Sequence, residues 1–404
     1  MKKLNFDSNF CIPPIYQSIT DWSIYKISYS RASFIEDIVQ ETMNRIITTT
    51  TNENKSLVDE LAIAMYQENQ RIRYEKWKVD PEDERDFWKD IKNTLIVNED
   101  IAETKDNWNP RNVEILKKII ERYAEEIASQ IDPTVYNIAR GTSGALMAGL
   151  LNDLNWKNFH QVFNPRKSLI DKLHILGQIE HVRALASQGT VVFVPTHVSH
   201  LDSLLIGWSV DAIGLPPVIY GAGLNLFNNK FFGWFMDRLG TYTVDRRKKN
   251  FLYKETLKAY CTMAIRTGCH TLFYPGGTRS RSGELESKLK LGLLSSALEA
   301  QRMNLIANAD STKGKIFIVP VVCSYHFVLE AESLVVDYLR QTGQYYYYMG
   351  DDAAKSLKPW EFLKRFMSYN SEMYISFGKP MDVFGNKVDM QGDSWDDFAA
   401  SSPM

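Results

Sequence analysis

Apolar positions in the first 155 residues recur every three or four places, the spacing that puts them on one side of an α-helix. This pattern predicts a helix over 33–47, a polar loop over 48–54 and a second helix that starts at Ser56. Asp80-Pro81, followed by two glutamates, predicts another helix start, because a capping carboxylate and a proline both suit the first turn. We therefore expect this part of the chain to be a helical bundle.

The pattern changes after residue 155, where short runs of apolar, often β-branched residues alternate with stretches of helical periodicity. Such alternation is typical of βαβ units and predicts an α/β fold whose mixed, mostly parallel sheet is flanked by helices. Pro320 interrupts one strand pattern and predicts an edge position or a strand end, because proline has no N–H to donate. Strands are expected at 191–194, 217–220, 242–244, 271–274, 316–322 and 373–377.

These patterns divide the chain into a helical N-terminal domain at 1–155, an α/β domain at 156–388 and a mobile tail at 389–404. The tail is polar and acidic and offers little apolar surface to bury. The small, apolar segment 141–151 precedes the domain boundary. A buried helix is favoured there over an element that dips into lipid, because apolar helices of globular proteins usually pack inside.

Composition and charge narrow the classes of function. Apolar residues make up 44% of the chain and charged residues 24%, as in a folded protein, and the formal net charge of -2 argues against a nucleic-acid partner. The four cysteines have no metal-type spacing, so we expect reduced thiols in an intracellular protein. The chain has no secretory pattern at its N-terminus and no run of about 18 apolar residues, but contact with a membrane surface stays open.

The first candidate for chemistry follows the apolar run at 191–194. His197 lies between this predicted strand and a helical pattern, and Asp202 follows five residues later. Ligands of open α/β sheets bind at the carboxyl ends of the strands, and a histidine with a carboxylate in reach makes a simple general base. The alternative is that both side chains only satisfy loop and cap hydrogen bonds. His200 is a second candidate for the base.

A basic cluster follows the predicted strand at 242–244. It contains Arg246 and Arg247 within four consecutive cations. An isolated run of this kind is usually a solvated turn. Because a parallel sheet brings successive strand ends to one edge, we expect these arginines to stand beside His197.

A glycine-rich segment follows the predicted strand at 271–274. Gly276 and Gly277 let the backbone approach a ligand closely, and Arg279 and Arg281 supply forked donors suited to phosphate. The spacing is not that of a Walker loop. The alternative is a glycine turn with two solvated arginines.

In this order, and together with the strand around Pro320, these stretches resemble the four sequence blocks of the glycerolipid acyltransferases over roughly 175–380. The likeness is strongest to bacterial glycerol-3-phosphate acyltransferases and their relatives that act on dihydroxyacetone phosphate. The family's H-x4-D motif is matched by 197–202, its basic second block by 243–247, its F-P-E-G-T-R-S-R block by 274–281 and its V-P-V strand by 319–321. The third block departs from the family at Gly276, where glutamate is common.

The resemblance implies transfer of a fatty acyl group from acyl-ACP or acyl-CoA to the sn-1 hydroxyl of glycerol 3-phosphate, giving lysophosphatidate in the first step of phospholipid synthesis. It implies His197 as general base and Asp202 as its orienting partner, without a cofactor or a metal. It also implies a cytoplasmic enzyme that is peripheral on the inner face of the cell membrane. The residues implied to bind the phosphate are Arg246, Arg247, Gly277, Thr278, Arg279, Ser280 and Arg281.

Other functions fit some of the same residues. One alternative is the same acyl transfer to a different acceptor, either dihydroxyacetone phosphate or lysophosphatidate. A non-catalytic lipid- or partner-binding protein is a second alternative, although it has no need of the His197–Asp202 pair. A metal hydrolase is a third, but the motif offers two candidate ligands where metal sites usually need three or more. Three roles stay open for the aromatic segment 227–236: it packs in the core, lines a groove for the acyl chain or contacts a membrane surface.

Overall fold

The computed structural model describes residues 12–99, 109–132, 134–136, 173–199, 202–224, 234, 237–280, 289–307, 314–326, 328, 334–336, 338–339 and 372–395. Contacts between residues divide the chain into two compact units. The sheet unit comprises Met1–Ile19, Tyr136–Val218 and His270–Met404, and the helix unit comprises Thr20–Val135 and Ile219–Cys269. The domain boundary predicted after residue 155 lies outside the described residues and stays a prediction.

The helices whose full extent lies within the described residues begin at Ser23, and the last of them ends at Ala307. Those that precede the first strand confirm the expectation of N-terminal helices. In chain order the helices are α1 (Ser23–Tyr29), α2 (Arg31–Asn52), α3 (Leu57–Tyr74), α4 (Glu84–Glu99), α5 (Pro110–Ile127), α6 (Ile179–Ala186), α7 (Asp202–Ala212), α8 (Phe251–Arg266) and α9 (Ser295–Ala307).

Six strands lie close to the predicted apolar runs, with shifts of up to three residues at their ends. The first strand and a last pair of short strands were not predicted. In chain order the strands are β1 (Leu173–Gly177), β2 (Thr190–Pro195), β3 (Ile219–Gly223), β4 (Thr241–Val244), β5 (Thr271–Leu272), β6 (Ile316–Tyr325), β7 (Met373–Phe377), β8 (Lys387–Val388) and β9 (Ser394–Trp395).

The strands of the sheet unit follow the order β1-β7-β6-β2-β5. β6 and β7 are antiparallel, whereas β1 with β7, β2 with β6 and β2 with β5 are parallel, so the predicted mixed, mostly parallel sheet is confirmed. β2 has a neighbour on each side, and its Val191, Val192 and Phe193 are all buried. A strand buried on both faces requires a continuous apolar run, which is why this segment was recognisable in the sequence.

The prediction for Pro320 was wrong, because β6 has a neighbour on both sides. Pro320 stands opposite Val194 of β2, and the pairing with β7 begins one residue later, at Val321 opposite Phe377. Its carbonyl faces the β7 side and accepts a hydrogen bond from the Gly378 N–H at 2.8 Å. The missing N–H faces the same side, where β7 has just ended, so the proline removes no bond from the ladder.

The predicted loop at 48–54 was also wrong, because α2 continues through Asn52. The hydroxyl of Thr48 donates to the carbonyl of Asn44 at 2.8 Å, and that of Thr50 donates to the carbonyl of Ile46 at 2.7 Å. Thr50 is buried. The threonine hydroxyls find acceptors within the helix, and burial of one helix face outweighs the modest helix propensity of threonine.

The helix start predicted at Asp80-Pro81 is displaced, since α4 begins at Glu84. The Asp80 carboxylate instead accepts a hydrogen bond from the Trp77 N–H at 2.7 Å and pairs with the guanidinium of Arg247. The sequence signal was read as a helix cap because a distant ion-pair partner leaves no local trace.

The core of the helix unit forms where α8 packs against α2 and α5. Edge-to-face aromatic pairs join these helices, with ring centroids 5.8 Å apart for Phe34 and Tyr260 and 5.2 Å apart for Tyr123 and Tyr253. β3 and β4 pair in parallel within the same unit. α8 therefore shares a core with helices that end more than a hundred positions before it begins.

Part of the predicted tail is a hairpin. β8 and β9 pair antiparallel, so 389–395 connect and complete a two-stranded element. Lys315 Nζ donates to Asp393 Oδ1 at 2.6 Å, and the His181 imidazole contacts the Asp389 carbonyl at 2.8 Å. Residues 396–404, the segment 141–151, His200, Arg281 and most of the aromatic segment 227–236 lie outside the described residues. Of the helices within the described ranges, none combines the length and the apolar character that crossing a bilayer requires.

Candidate active site

His197 lies in the loop between the end of β2 at Pro195 and the first residue of α7, Asp202. Its Nδ1 is 2.8 Å from Asp202 Oδ2. The imidazole side chain is 18% exposed, whereas the carboxylate is fully buried. The predicted pair is therefore formed, with one member accessible to a ligand and the other shielded from water.

The Asp202 carboxylate is surrounded by donors. Oδ2 also accepts the backbone N–H groups of Val198 at 2.7 Å and Ser199 at 3.0 Å, and Oδ1 accepts the hydroxyl of Tyr325. Hydrogen bonds to the charged form and the positive end of α7 both stabilise a carboxylate at this position. An ionised Asp202 orients the Nδ1–H of His197, which leaves Nε2 as the atom able to accept a proton.

The imidazole of His197 is also held by an aromatic ring. It stacks on Tyr274 with ring centroids 4.0 Å apart and an interplanar angle of 25°. The Tyr274 hydroxyl lies 2.9 Å from the hydroxyl of Ser203, the second residue of α7. The ring plane of His197 is thus fixed from one side by α7 and from the other by the segment after β5.

The glycine-rich segment adjoins this loop. The Ser280 N–H donates to the His197 carbonyl at 2.7 Å, so the segment containing Thr278 and Arg279 is tied directly to the loop of the base. Gly277 has a φ of +68°, a conformation that favours glycine. Its N–H donates to the Tyr274 carbonyl at 3.0 Å and closes the turn.

Lys290 lies over this turn. A Cβ atom added to Gly277 would stand 2.7 Å from Lys290 Cδ and 3.2 Å from its Nζ. The Lys290 N–H donates to the Pro275 carbonyl at 2.6 Å, which anchors the backbone of the lysine to the turn. The absence of a side chain at Gly277 therefore makes room for an ammonium group beside the predicted phosphate-binding residues.

The basic cluster after β4 belongs to the helix unit, and its cations divide into two kinds. Arg246 and Lys249 are exposed. The Arg247 side chain is only 6% exposed, and Lys248 is buried. Four consecutive cations that look equivalent in the sequence are therefore half surface and half interior.

Arg247 is bonded to carboxylates on every side of its guanidinium. Nη1 and Nη2 bind Asp80, Nε binds Asp245 Oδ1 at 2.9 Å, and the ring of Trp77 lies 4.0 Å from its central carbon. Although burial opposes the charge, Asp245 and Asp80 raise the pKa of Arg247 above its usual value. Burial alone would raise the pKa of Asp80, but hydrogen bonds from Arg247 and the Trp77 N–H lower it.

Lys248 continues this network. Its ammonium pairs with Glu126 of α5 and lies 4.0 Å from Glu84 of α4. Next to it, Asn250 donates to Glu68 Oε1 and to the Tyr123 hydroxyl, each at 3.0 Å. The segment after β4 is therefore anchored to three helices, and Arg246 is the member of the predicted arginine pair that faces outward.

The acyltransferase family model matches residues 176–324 of the chain. This stretch is an acyltransferase domain. The glycerol-3-phosphate acyltransferase of Haemophilus ducreyi is 29% identical over 273 residues, which are 66% of this chain and 30% of that protein. That of Histophilus somni is 34% identical over 156 residues, 38% of this chain and 18% of the relative. Human mitochondrial glycerol-3-phosphate acyltransferase 1 is 26% identical over 257 residues, 59% of this chain and 28% of that protein. The matched region spans less than a third of each of these relatives.

Sequence reasoning missed three side chains that the structure places at this candidate site: Tyr274, Lys290 and Tyr325. Tyr325 ends β6, and burial together with the charge of Asp202 raises the pKa of its hydroxyl, which therefore remains a proton donor. Tyr274 stands where the family commonly has phenylalanine, and this extra hydroxyl was the one available signal. Within the described part of the chain, no three histidine, cysteine, aspartate or glutamate side chains are grouped as metal ligands would be.

Proposed function

We propose that the chain is an acyltransferase that moves a fatty acyl group from an acyl thioester to the sn-1 hydroxyl of glycerol 3-phosphate. The observation that carries the proposal is the His197–Asp202 pair, joined by the Ser280–His197 backbone bond to the glycine- and arginine-containing segment. A general base tied to an anion-binding turn suits a substrate that has a hydroxyl and a phosphate on one small skeleton. The names of the relatives in the comparisons support this acceptor.

In the proposed reaction the substrate hydroxyl is the nucleophile. His197 Nε2 takes the hydroxyl proton as the oxygen attacks the thioester carbonyl, and Asp202 stabilises the imidazolium that forms. The tetrahedral intermediate then collapses with loss of the thiolate, which accepts the proton from His197. The products are the oxygen ester and a free thiol, and His197 returns to its neutral form. A positioned base of this kind contributes roughly 10²–10⁴-fold to the rate.

The phosphate of the acceptor requires cations and backbone donors. We assign Arg279 and Arg281 to it, with Gly277, Thr278 and Ser280 supplying backbone or hydroxyl donors. Arg246 is kept in the proposal because it is exposed. Arg247 is left out, because its guanidinium is already bonded to Asp80 and Asp245. Lys290 is added, because its ammonium lies beside Gly277.

The donor is acyl-ACP or acyl-CoA, and the enzyme works in the cytoplasm at the inner face of the membrane. A product with a fatty chain must reach a bilayer, and transient surface contact without a membrane-spanning helix is sufficient for that. Flotation with phosphatidylglycerol-containing vesicles tests this part of the proposal. Co-migration that falls with added salt supports it, and absence from the vesicle fraction at low salt contradicts it.

The activity is tested with a radiolabelled acyl group supplied as acyl-ACP and as acyl-CoA. Glycerol 3-phosphate, dihydroxyacetone phosphate and lysophosphatidate are offered separately to the wild type, His197→Ala and His181→Ala. Product from glycerol 3-phosphate that disappears only in His197→Ala supports the proposal. His181 is a matched control, because its imidazole contacts the Asp389 carbonyl. Product with another acceptor alone, or full turnover by His197→Ala, would contradict the proposal.

A further inference from the structure

The two oxygens of the Asp202 carboxylate have different surroundings. Oδ2 receives His197 and the N–H groups of Val198 and Ser199, whereas the described partner of Oδ1 is the Tyr325 hydroxyl. We propose that Tyr325 is a positioning residue, which fixes the Asp202 carboxylate and, through it, the orientation and basicity of the His197 imidazole.

The fold explains why Tyr325 reaches Asp202. β2 stops at Pro195, opposite Val321, but β6 continues to Tyr325 in contact with β7. The loop after β2 stays bonded to this extension, since the Thr196 N–H donates to the Val321 carbonyl at 3.0 Å and the Cys323 N–H donates to Thr196 Oγ1 at 3.3 Å. The extended end of β6 therefore runs beside the loop of the base, and Tyr325 is held by pairing with both the loop and β7.

A bond from Tyr325 to Oδ1 affects the carboxylate in two ways. It stops the carboxylate from rotating, so that Oδ2 stays directed at His197 Nδ1. It also draws negative charge away from Oδ2, and a less basic carboxylate stabilises an imidazolium less. Without the hydroxyl, His197 would hold its proton more tightly and would be protonated over a wider range of pH.

The other titratable groups that face this pair in the described part of the chain do not replace Tyr325. Cys323, on β6, has a thiol whose pKa is raised by burial and by the charge of Asp202, so it stays neutral. Tyr274, after β5, stacks on His197 and has its hydroxyl next to Ser203. Neither of these two is bonded to Oδ1, so removing the Tyr325 hydroxyl leaves that oxygen without the donor described here.

The inference rests on the proposed function only where activity is concerned, because its first test needs no substrate. Nitrogen NMR of histidine-labelled protein gives the pKa and tautomer of His197, whose signals are identified by their loss in His197→Gln. In Tyr325→Phe we expect the pKa of His197 to rise by about half a unit or more. Tyr374→Phe is the matched control, because the Tyr374 hydroxyl, on β7, is bonded to Glu372 two residues before it, and it should leave His197 unchanged.

Kinetics give the second readout. In Tyr325→Phe we expect kcat to fall roughly 10- to 100-fold with little change in KM for the acceptor, and the acidic limb of the pH profile to move upward. A merely structural tyrosine would alter stability without moving that limb. A difluorotyrosine at position 325 keeps the shape and donates more strongly, so it should lower the pKa of His197 even if Tyr325→Phe folds poorly.

The outcomes separate this inference from the proposed function. A shifted pKa of His197 in protein that transfers no acyl group would support the inference and contradict the function. An unchanged pKa and tautomer in both position-325 variants, with intact transfer, would overturn the inference and leave the function standing.

Discussion

The segments that follow β2 and β4 have a similar content of charged and titratable residues but place those residues in different environments. Each places charged or titratable residues directly after a strand, at 196–202 and at 245–250. After β2, hydrogen bonds converge on the single buried carboxylate of Asp202 and leave His197 partly exposed. After β4, carboxylates and cations neutralise one another, and Arg247 is buried between Asp80 and Asp245.

The difference lies in where the opposite charges come from. Asp202 is five residues from His197, and its remaining donors are uncharged, so the pair keeps one site at which a proton can be gained or lost. Arg247 and Lys248 meet Asp80 and Glu126, which lie far away in the chain, and each charge is cancelled. Charged residues after a strand therefore indicate chemistry only when their partners leave a proton-accepting or anion-binding atom accessible.

The largest expected effect tests the first segment. Asp202→Asn removes the charge that fixes the tautomer of His197 and stabilises its imidazolium, so we expect acyl transfer to fall on the order of 10³-fold or more. Single-turnover transfer with saturating acceptor measures it. Asp389→Asn is the control, because that carboxylate only accepts backbone N–H groups in the hairpin turn. Retention of transfer within tenfold of wild type would mean that Asp202 is a cap and no more.

The second prediction tests the segment after β4 with two adjacent residues. Arg247→Ala leaves Asp80 and Asp245 buried without their shared cation, so we expect the free energy of unfolding to fall by about 3–5 kcal/mol. Arg246→Ala, at an exposed position, should change it by less than about 0.5 kcal/mol. Urea denaturation of both variants provides the comparison. Equal losses would show that the two arginines do not differ in the way described.

The third prediction uses another histidine beside β2. His270 is buried, accepts the Val191 N–H on Nδ1 at 3.1 Å, and has its pKa lowered by burial to about 4 from an ordinary 6.5. As the pH falls, His270 is protonated in the unfolded chain at a higher pH than in the folded protein. The neutral, buried His270 therefore gives its full contribution to the free energy of unfolding above about pH 6.5, and this contribution is lost as the pH falls towards 4. The free energy of unfolding should fall by about 3 kcal/mol over that range.

His270→Asn keeps an acceptor for the Val191 N–H but cannot titrate. We expect the free energy of unfolding to fall less between pH 7 and pH 4 for this variant than for wild type, with a difference of about 3 kcal/mol. Parallel plots of unfolding free energy against pH for the two proteins would show that the folded state does not hold His270 neutral. The contrast with His197 is that His270 has no described carboxylate partner and no exposure.

The smallest expected effect concerns Lys290. Lys290→Gln removes a solvent-exposed cation beside Gly277, so we expect KM for glycerol 3-phosphate to rise about fivefold with kcat nearly unchanged. The effect should shrink at high salt, as expected for an exposed charge. Lys387→Gln, on β8, is the control. An unchanged KM at low salt would remove Lys290 from the phosphate site.

Much of the fold was predictable because its local patterns agree with its tertiary contacts. The continuous apolar run of β2 is typical of a strand buried on both faces, and its bounds were recognised within one residue. The failures at Thr48–Asn52 and Asp80 have a common cause. Burial of Thr50 and the ion pair of Asp80 with Arg247 come from contacts across long stretches of chain, which outweigh local propensity.

The candidate site was predictable where its members are close in sequence. His197 and Asp202 were recognised from a spacing of five residues, whereas Tyr274, Lys290 and Tyr325 reach the site through the strand order and the turn after β5. The division of the four cations into exposed and buried pairs also depends on Asp80 and Glu126, which nothing in the cluster itself reveals. Residue type suggested the chemistry, but the pairing of strands and helices decides which side chains take part.

The insertion of 219–269 into the helix unit has a consequence for any attempt to shorten this protein. The region matched by the family model, 176–324, contains α8, yet α8 packs on α2 and α5, which lie outside it. A fragment cut at the limits of the family match would expose the apolar flank of α8, including Tyr253 and Tyr260, and would leave Asn250 without Glu68 and Tyr123. The region of family similarity in this chain is therefore not a unit of folding, and α2 and α5 act as an intramolecular scaffold for α8, a central part of the matched region.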